Sequence, residues 1–206
     1  MSTGAVIRDT RVLLRKATWR HYVELRDADE NRNTRMTFDR GSLELMSPTS
    51  LHERIRIILS QCIFAWAFEK QLKIQSCGST TFRREDLERG LEPDNCYYIQ
   101  NRAAVENREE LDLLVDPPPD LVLEVDIASS SINRMAIYAA MGVPEVWRWH
   151  EDALHLYRLA AAGEYAPIPM SAALPGFPVG LAVQFVARRP VPDEVTLFNE
   201  FRAACQ

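Results

Sequence analysis

The sequence predicts an α/β fold, a mixed α+β sheet flanked by helices, and two observations carry that prediction. Apolar patterns alternate between helix and strand periods in the order helix, hairpin, long helix, several strands, helix, hairpin, helix. In the middle of the chain, Leu121-Val122-Leu123, with Val125 one step on, is an apolar run rich in strand formers and too short for a helix. Such a run reads as a strand buried on both faces. The 206 residues, 47% of them hydrophobic and 26% charged, suit one well-cored domain spanning 1–206.

Taken in order, residues 1–17 read as an irregular segment with a basic patch at Arg11, Arg15 and Lys16. Thr18 is an N-cap candidate for a short helix, Trp19 to Arg26, and Asp27 to Thr34 is polar enough to be a loop. Asp39-Arg40-Gly41 is a turn signal joining strands at 35–38 and 42–46. Ser50-Leu51-His52-Glu53 has the capping-box pattern and opens the longest helix, to about Gln71. Residues 73–84 predict one strand kinked at Gly78, and a turn at 89–94 leads into a short strand, 96–99. The charged stretch 101–116 reads as a loop or partial helix, and the prolines at 117–119 as a stiff connector.

Beyond the buried strand, Ser129-Ser130-Ser131 offers N-caps for a helix from about Ile132 to Met141, closed by Gly142. Residues 145–150 and 153–159 predict a second hairpin, with Trp147 and Trp149 on one face. Prolines at 167, 169, 175 and 178 forbid long regular structure from 160 to 180. A last strand is expected over 181–187, and a C-terminal helix within 190–206, starting at Pro192-Asp193.

Cysteines 62, 77, 96 and 205 show neither a C-x-x-C pair nor clustering with histidine, which points to reduced thiols rather than a zinc site. Without an apolar run of membrane-spanning length or a signal-peptide core, the expected location is cytoplasmic. The net charge of −5 argues against broad, non-specific nucleic-acid binding but permits a local basic groove. Large apolar side chains late in the chain, Trp147, Trp149, Phe198 and Phe201, suggest a homodimer held by the second hairpin or the terminal helix.

The chemistry concentrates at the end of the buried strand. Glu124 and Asp126 lie two residues apart, so they share a face, and carboxylates leaving a buried strand need cations. Nearby arginines would supply them in one reading, a divalent metal in the other. Asp94 follows a proline at the start of the preceding strand. If the two strands are neighbours, Asp94 and Glu124 converge, and hard oxygen donors of this kind suit Mg²⁺ or Mn²⁺. On the metal reading, Asp94→Asn and Glu124→Gln would abolish ion binding without loss of metal-free stability, because clustered carboxylates repel.

The pieces that carry a resemblance are Glu44-Leu45-Met46-Ser47-Pro48, Glu92-Pro93-Asp94, the run from Pro119 to Val125, Arg134 to Tyr138, and Gly142 to Trp147. In this order they resemble the PD-(D/E)xK nuclease superfamily, and within it a bacterial family of putative restriction endonucleases, over most of residues 18–150. The resemblance implies a restriction-endonuclease-like core and metal-dependent cleavage of DNA phosphodiesters. It implies Asp94, Glu124 and Arg134 as catalytic residues, with Mg²⁺ or Mn²⁺ held by Asp94 and Glu124. Asp126 stands where the superfamily has lysine, and Arg134, four before Tyr138, takes the basic position. Arginine cannot act as a base, although it can hold a phosphate or stabilise developing charge. Tyr138 shares a helical face with Arg134, while Glu44 and His52 are expected to assist at the rim. The alternative is a nuclease-fold protein that no longer cleaves and serves as a nucleic-acid-binding or assembly module.

Overall fold

Two sheets, not one, carry the chain. In the computed structural model the described residues are 9–128 and 130–206. The smaller sheet is antiparallel throughout, in the order β1-β3-β2-β6-β5. Its strands are β1 (Thr10–Arg15), β2 (Arg35–Asp39), β3 (Ser42–Ser47), β5 (Phe82–Arg84) and β6 (Arg89–Leu91). The larger sheet has the order β11-β10-β9-β8-β7-β4. It comprises β4 (Gln75–Ser76), β7 (Asn95–Tyr98), β8 (Leu121–Val125), β9 (Glu145–His150), β10 (Ala153–Leu159) and β11 (Tyr165–Pro167). Among the described residues only β8 and β9 pair in parallel, and α4 (Arg134–Ala140) connects them, as parallel neighbours require.

Both faces of β8 are covered, which is why its sequence does not alternate. Leu121, Leu123 and Val125 pack with Trp147 and Trp149 against α2 (Ser50–Glu69), α5 (Val179–Ala187) and α6 (Glu194–Ala204). On the other face Val122 joins Cys96, Val146, Ile137 and Tyr138 of α4, and Phe82 of the smaller sheet. The smaller sheet packs Met36, Phe38 and Leu43 under α1 (Trp19–Asp27), whose Tyr22 stacks on Phe38. Gly90 makes that packing possible: a Cβ there would lie 2.4 Å from the Tyr22 hydroxyl oxygen.

Several expectations need correction. Residues 1–8 of the supposedly irregular 1–17 segment fall outside the described residues, but 10–15 form β1. Its alternation is obscured because the inward residue Arg11 pairs with buried Glu44 while Val12 and Leu14 stay exposed. The single strand expected over 73–84 is two strands in different sheets, and Gly78, at φ +60°, sits where the chain passes between them. Residues 181–187 belong to a helix, not a strand. Ala182, Phe185 and Val186 are buried at helical spacing, a signal that the uniformly apolar sequence masks.

Caps also shift. Thr49 rather than Ser50 caps α2, its hydroxyl accepting from the His52 amide at 3.2 Å. Asn133 caps α4 in place of the serine run, of which Ser129 lies outside the described residues. The short α3 (Arg102–Val105) realises the partial helix expected between 101 and 116. Trp147, Trp149 and Phe201 are buried in one intramolecular core and half-buried Phe198 packs against it, so the apolar residues behind the dimer expectation pack within the chain. Among the described residues, no helix is long and apolar enough to cross a membrane.

Candidate active site

Strand pairing brings the two principal carboxylates together. Asn95 of β7 lies opposite Leu123 of β8, so one step outward Asp94 faces Glu124. Like charges facing across an antiparallel pair are destabilising, so the fold must supply cations between or beside them. It does so from three other elements.

Asp94 is buried. One oxygen pairs with the Arg35 guanidinium from β2 and lies 2.9 Å from His52 Nε2, while the other accepts the Val125 amide at 2.6 Å. Burial alone would raise its pKa, but His52 and then Arg35 outweigh it and hold the carboxyl at about 2. Arg35 spends its remaining reach on Glu53 at 2.8 Å.

Glu124 takes its cation from the first residue of α4. Arg134 Nη2 donates to Oε1 at 2.6 Å and Nε to Oε2 at 3.1 Å, and the Tyr138 hydroxyl donates to Oε1 as well. Arg134 also donates to the Glu92 carbonyl at 2.6 Å and to the Thr37 hydroxyl, so it stitches the two sheets together. Burial, reinforced by Asp94, still outweighs Arg134 and raises the Glu124 carboxyl above its ordinary value. Burial also raises Tyr138, next to the Glu124 charge. The two carboxylates therefore shift in opposite directions: His52 and Arg35 overcome burial at Asp94, and Arg134 does not overcome it at Glu124.

The accessory candidates lie deeper than expected. His52 is fully buried, not at a rim, with Nδ1 3.0 Å from Asp9 and Nε2 facing Asp94. Glu44 is buried too: it pairs with Arg11 at 2.7 Å and accepts from the Ser130 hydroxyl and the Ser131 amide, each at 2.7 Å. It therefore anchors the segment after β8. Asp126 shares the face of Glu124 as its spacing predicts, but it pairs with Arg148 of β9. A cavity of about 300 Å³ opens against Glu124 and Arg134, bordered by Arg11, Asp126, Ser131 and Arg148.

Arg35, Asp9, Thr37 and Arg148 escaped the sequence reading, and the sequence marks Arg11 only as part of a basic patch. Buried carboxylates announce that a cation is needed, but nothing local says which arginine supplies it.

The His52 contacts carry a pH dependence. Burial lowers an imidazole, but the hydrogen bonds and charges of Asp9 and Asp94 outweigh it and raise His52 from 6.5 to about 9. A raised pKa stabilises the fold fully below about pH 6.5 and loses that contribution as pH climbs through 9. Across that window urea unfolding is expected to show wild type losing about 3 kcal/mol relative to His52→Gln, a difference from which other groups titrating there cancel. Parallel curves for the two proteins would show that His52 is not charged in the fold.

Comparison with known proteins places this geometry. The Uma2 family model, described as putative restriction endonuclease, matches residues 19–195. Four solved chains match the structure. One is the crystal structure of a putative nuclease belonging to DUF820 from Anabaena variabilis ATCC 29413, with a TM-score of 0.51 at 16% identity. The match covers 90% of this chain and 99% of that one, and at this identity the likeness is one of fold. None of the curated proteins matches.

Proposed function

Since the chain belongs to the Uma2 family of putative restriction endonucleases, we propose that it is a divalent-metal-dependent nuclease that cleaves phosphodiester bonds of DNA. Asp94, Glu124 and Arg134 form its working site. The observation that carries this reading is Asp94 facing Glu124 across β7 and β8, with the Arg134 guanidinium against Glu124 and a cavity that opens on Glu124 and Arg134.

Restriction-endonuclease-like enzymes generally use divalent metals, and the donor set fits one in kind. Among the described residues, no group of three or more His, Cys, Asp or Glu side chains is arranged to hold an ion. Mg²⁺, however, is commonly held by one or two carboxylates, with water and phosphate completing its shell. Asp94 and Glu124 would hold Mg²⁺ or Mn²⁺. When bound, the ion supplies Lewis-acid polarisation of the phosphoryl oxygen and a more acidic water.

The protein's own residues do the rest. His52 and Arg35 keep Asp94 ionised and fixed in place, in the charge state a metal ligand needs. Arg134 cannot take a proton from water; its role is to hold charge beside Glu124 and, where Glu124 turns to a metal, to offer its fork to a phosphate. Tyr138 keeps the guanidinium on that side, at 3.2 Å from Nη2. Arg11 and Arg148 border the cavity through which a backbone phosphate would approach.

A second reading has its own observation. Each oxygen of Asp94 and Glu124 already receives a donor from the protein. That completeness favours a nuclease-fold module that binds or assembles without cleaving. Calorimetry with Mg²⁺ and Mn²⁺, paired with plasmid nicking, separates the two. Arg134→Lys sharpens the test, because lysine cannot reproduce the fork and frees part of Glu124. The expected result is tighter metal binding and faster nicking than wild type. Absence of both binding and nicking in wild type and Arg134→Lys would leave the non-cleaving reading.

A further inference from the structure

Away from the carboxylates, the edge of the larger sheet holds a pair of cysteines that the proposed nuclease chemistry does not use. Strand β4 pairs with β7, with Gln75 opposite Tyr98 and Ser76 opposite Tyr97. One step further, Cys77 falls opposite Cys96, and the Cys77 amide donates to the Cys96 carbonyl at 3.0 Å. Opposed residues of an antiparallel pair have Cα atoms about 4.5–5.5 Å apart and side chains on one face. A disulfide spans Cα separations of about 4.4–6.8 Å.

The two thiols differ in access. Cys77 is half-buried and borders a solvent-connected cavity of about 510 Å³ together with Thr80, Arg26 and Arg83. Cys96 is fully buried, its thiol donating to the Gly78 carbonyl at 3.4 Å. The neighbouring Cys96 thiol holds Cys77 at about 7, against the burial that would raise it. A thiolate that forms near neutral pH in a reachable cleft, backed by a second thiol, is the arrangement of a redox-sensitive cysteine.

We infer that Cys77–Cys96 is a modification site at which hydroperoxide oxidises Cys77 and Cys96 closes a reversible disulfide. The Cys77 thiolate attacks one peroxide oxygen, the O–O bond breaks, and the departing oxygen takes up a proton. Cys77 is left as a sulfenic acid. The Cys96 sulfur then displaces the hydroxyl, so the S–S bond forms as the S–O bond breaks and water leaves with the Cys96 proton. Two electrons pass from the thiol pair to the peroxide. The bond ties the edge strand β4 to β7, which begins one residue after Asp94.

The test is peptide mapping of the full-length reduced protein after brief treatment with hydrogen peroxide, without reductant. The expected product joins the Cys77 and Cys96 peptides, with the loss of two hydrogens, and dithiothreitol reverses it. Cys96→Ser should instead accumulate a Cys77 sulfenic acid trapped by dimedone, and Cys77→Ser should leave Cys96 unmodified. Before oxidation, iodoacetamide near neutral pH should label Cys77 about tenfold faster than Cys62. The wild-type map decides the pairing by itself, so a variant that fails to fold does not blunt the test. A stable sulfinic acid at Cys77 with no linked peptide, a link to Cys62 or Cys205, or no oxidation at all would each overturn the proposal.

Discussion

Asp94→Asn is expected to lower the unfolding free energy by about 3–5 kcal/mol, the usual cost of breaking a buried ion pair from one side. This reverses the sign that repulsion between clustered carboxylates predicts. Arg35 and His52 both face Asp94 from other elements, and asparagine would leave half-buried Arg35 with Glu53 alone and buried His52 with Asp9 alone. The Val125 amide, which donates to Asp94, would keep an oxygen acceptor in the amide, so the loss is electrostatic rather than one of backbone pairing. The same contacts set the sign of the pH dependence. A carboxyl held at about 2 instead of 3.8 stabilises the fold above about pH 4, and the contribution disappears as pH falls towards 2. Urea unfolding at neutral pH and near pH 3 measures both effects. An unchanged midpoint at neutral pH would mean that Arg35 and His52 are not the counter-ions of Asp94.

Arg134→Ala should cost the metal-free protein a similar amount, about 3–5 kcal/mol. Glu124 would be left buried opposite Asp94 with only the Tyr138 hydroxyl, and the Thr37 hydroxyl and Glu92 carbonyl would lose the donor that links the sheets. The response of this variant to Mg²⁺ distinguishes the two functional readings. If Asp94 and Glu124 hold a divalent ion, the vacated guanidinium position favours it, and Mg²⁺ should restore much of the lost stability. Ligand linkage supplies about 2.7 kcal/mol at a hundredfold excess over Kd. Wild type should gain less from the same addition, because Arg134 competes for Glu124. Thermal melting with and without Mg²⁺ reads this directly. A variant that melts early and ignores Mg²⁺ would identify Arg134 as a permanent replacement for the metal and the protein as a non-cleaving member of its family.

The sequence by itself determined the local elements whose patterns were unambiguous. The proline connector and apolar run located β8, the turn signals located both hairpins, and Thr18 marked the start of α1. Alternation placed Glu124 and Asp126 on one face, and helical spacing placed Arg134 beside Tyr138. Tertiary structure alone decided how these elements share the charge. The Arg35–Asp94 and Arg134–Thr37 contacts join residues 59 and 97 positions apart, and Asp9 reaches His52 across 43. Periodicity reports which face a residue occupies because backbone geometry repeats over a few residues. It carries no record of which distant side chain will lie against that face. The division into two sheets escaped for the same reason: Gly78 signals a bend, but the partners on either side of it, β7 and β6, are chosen by packing.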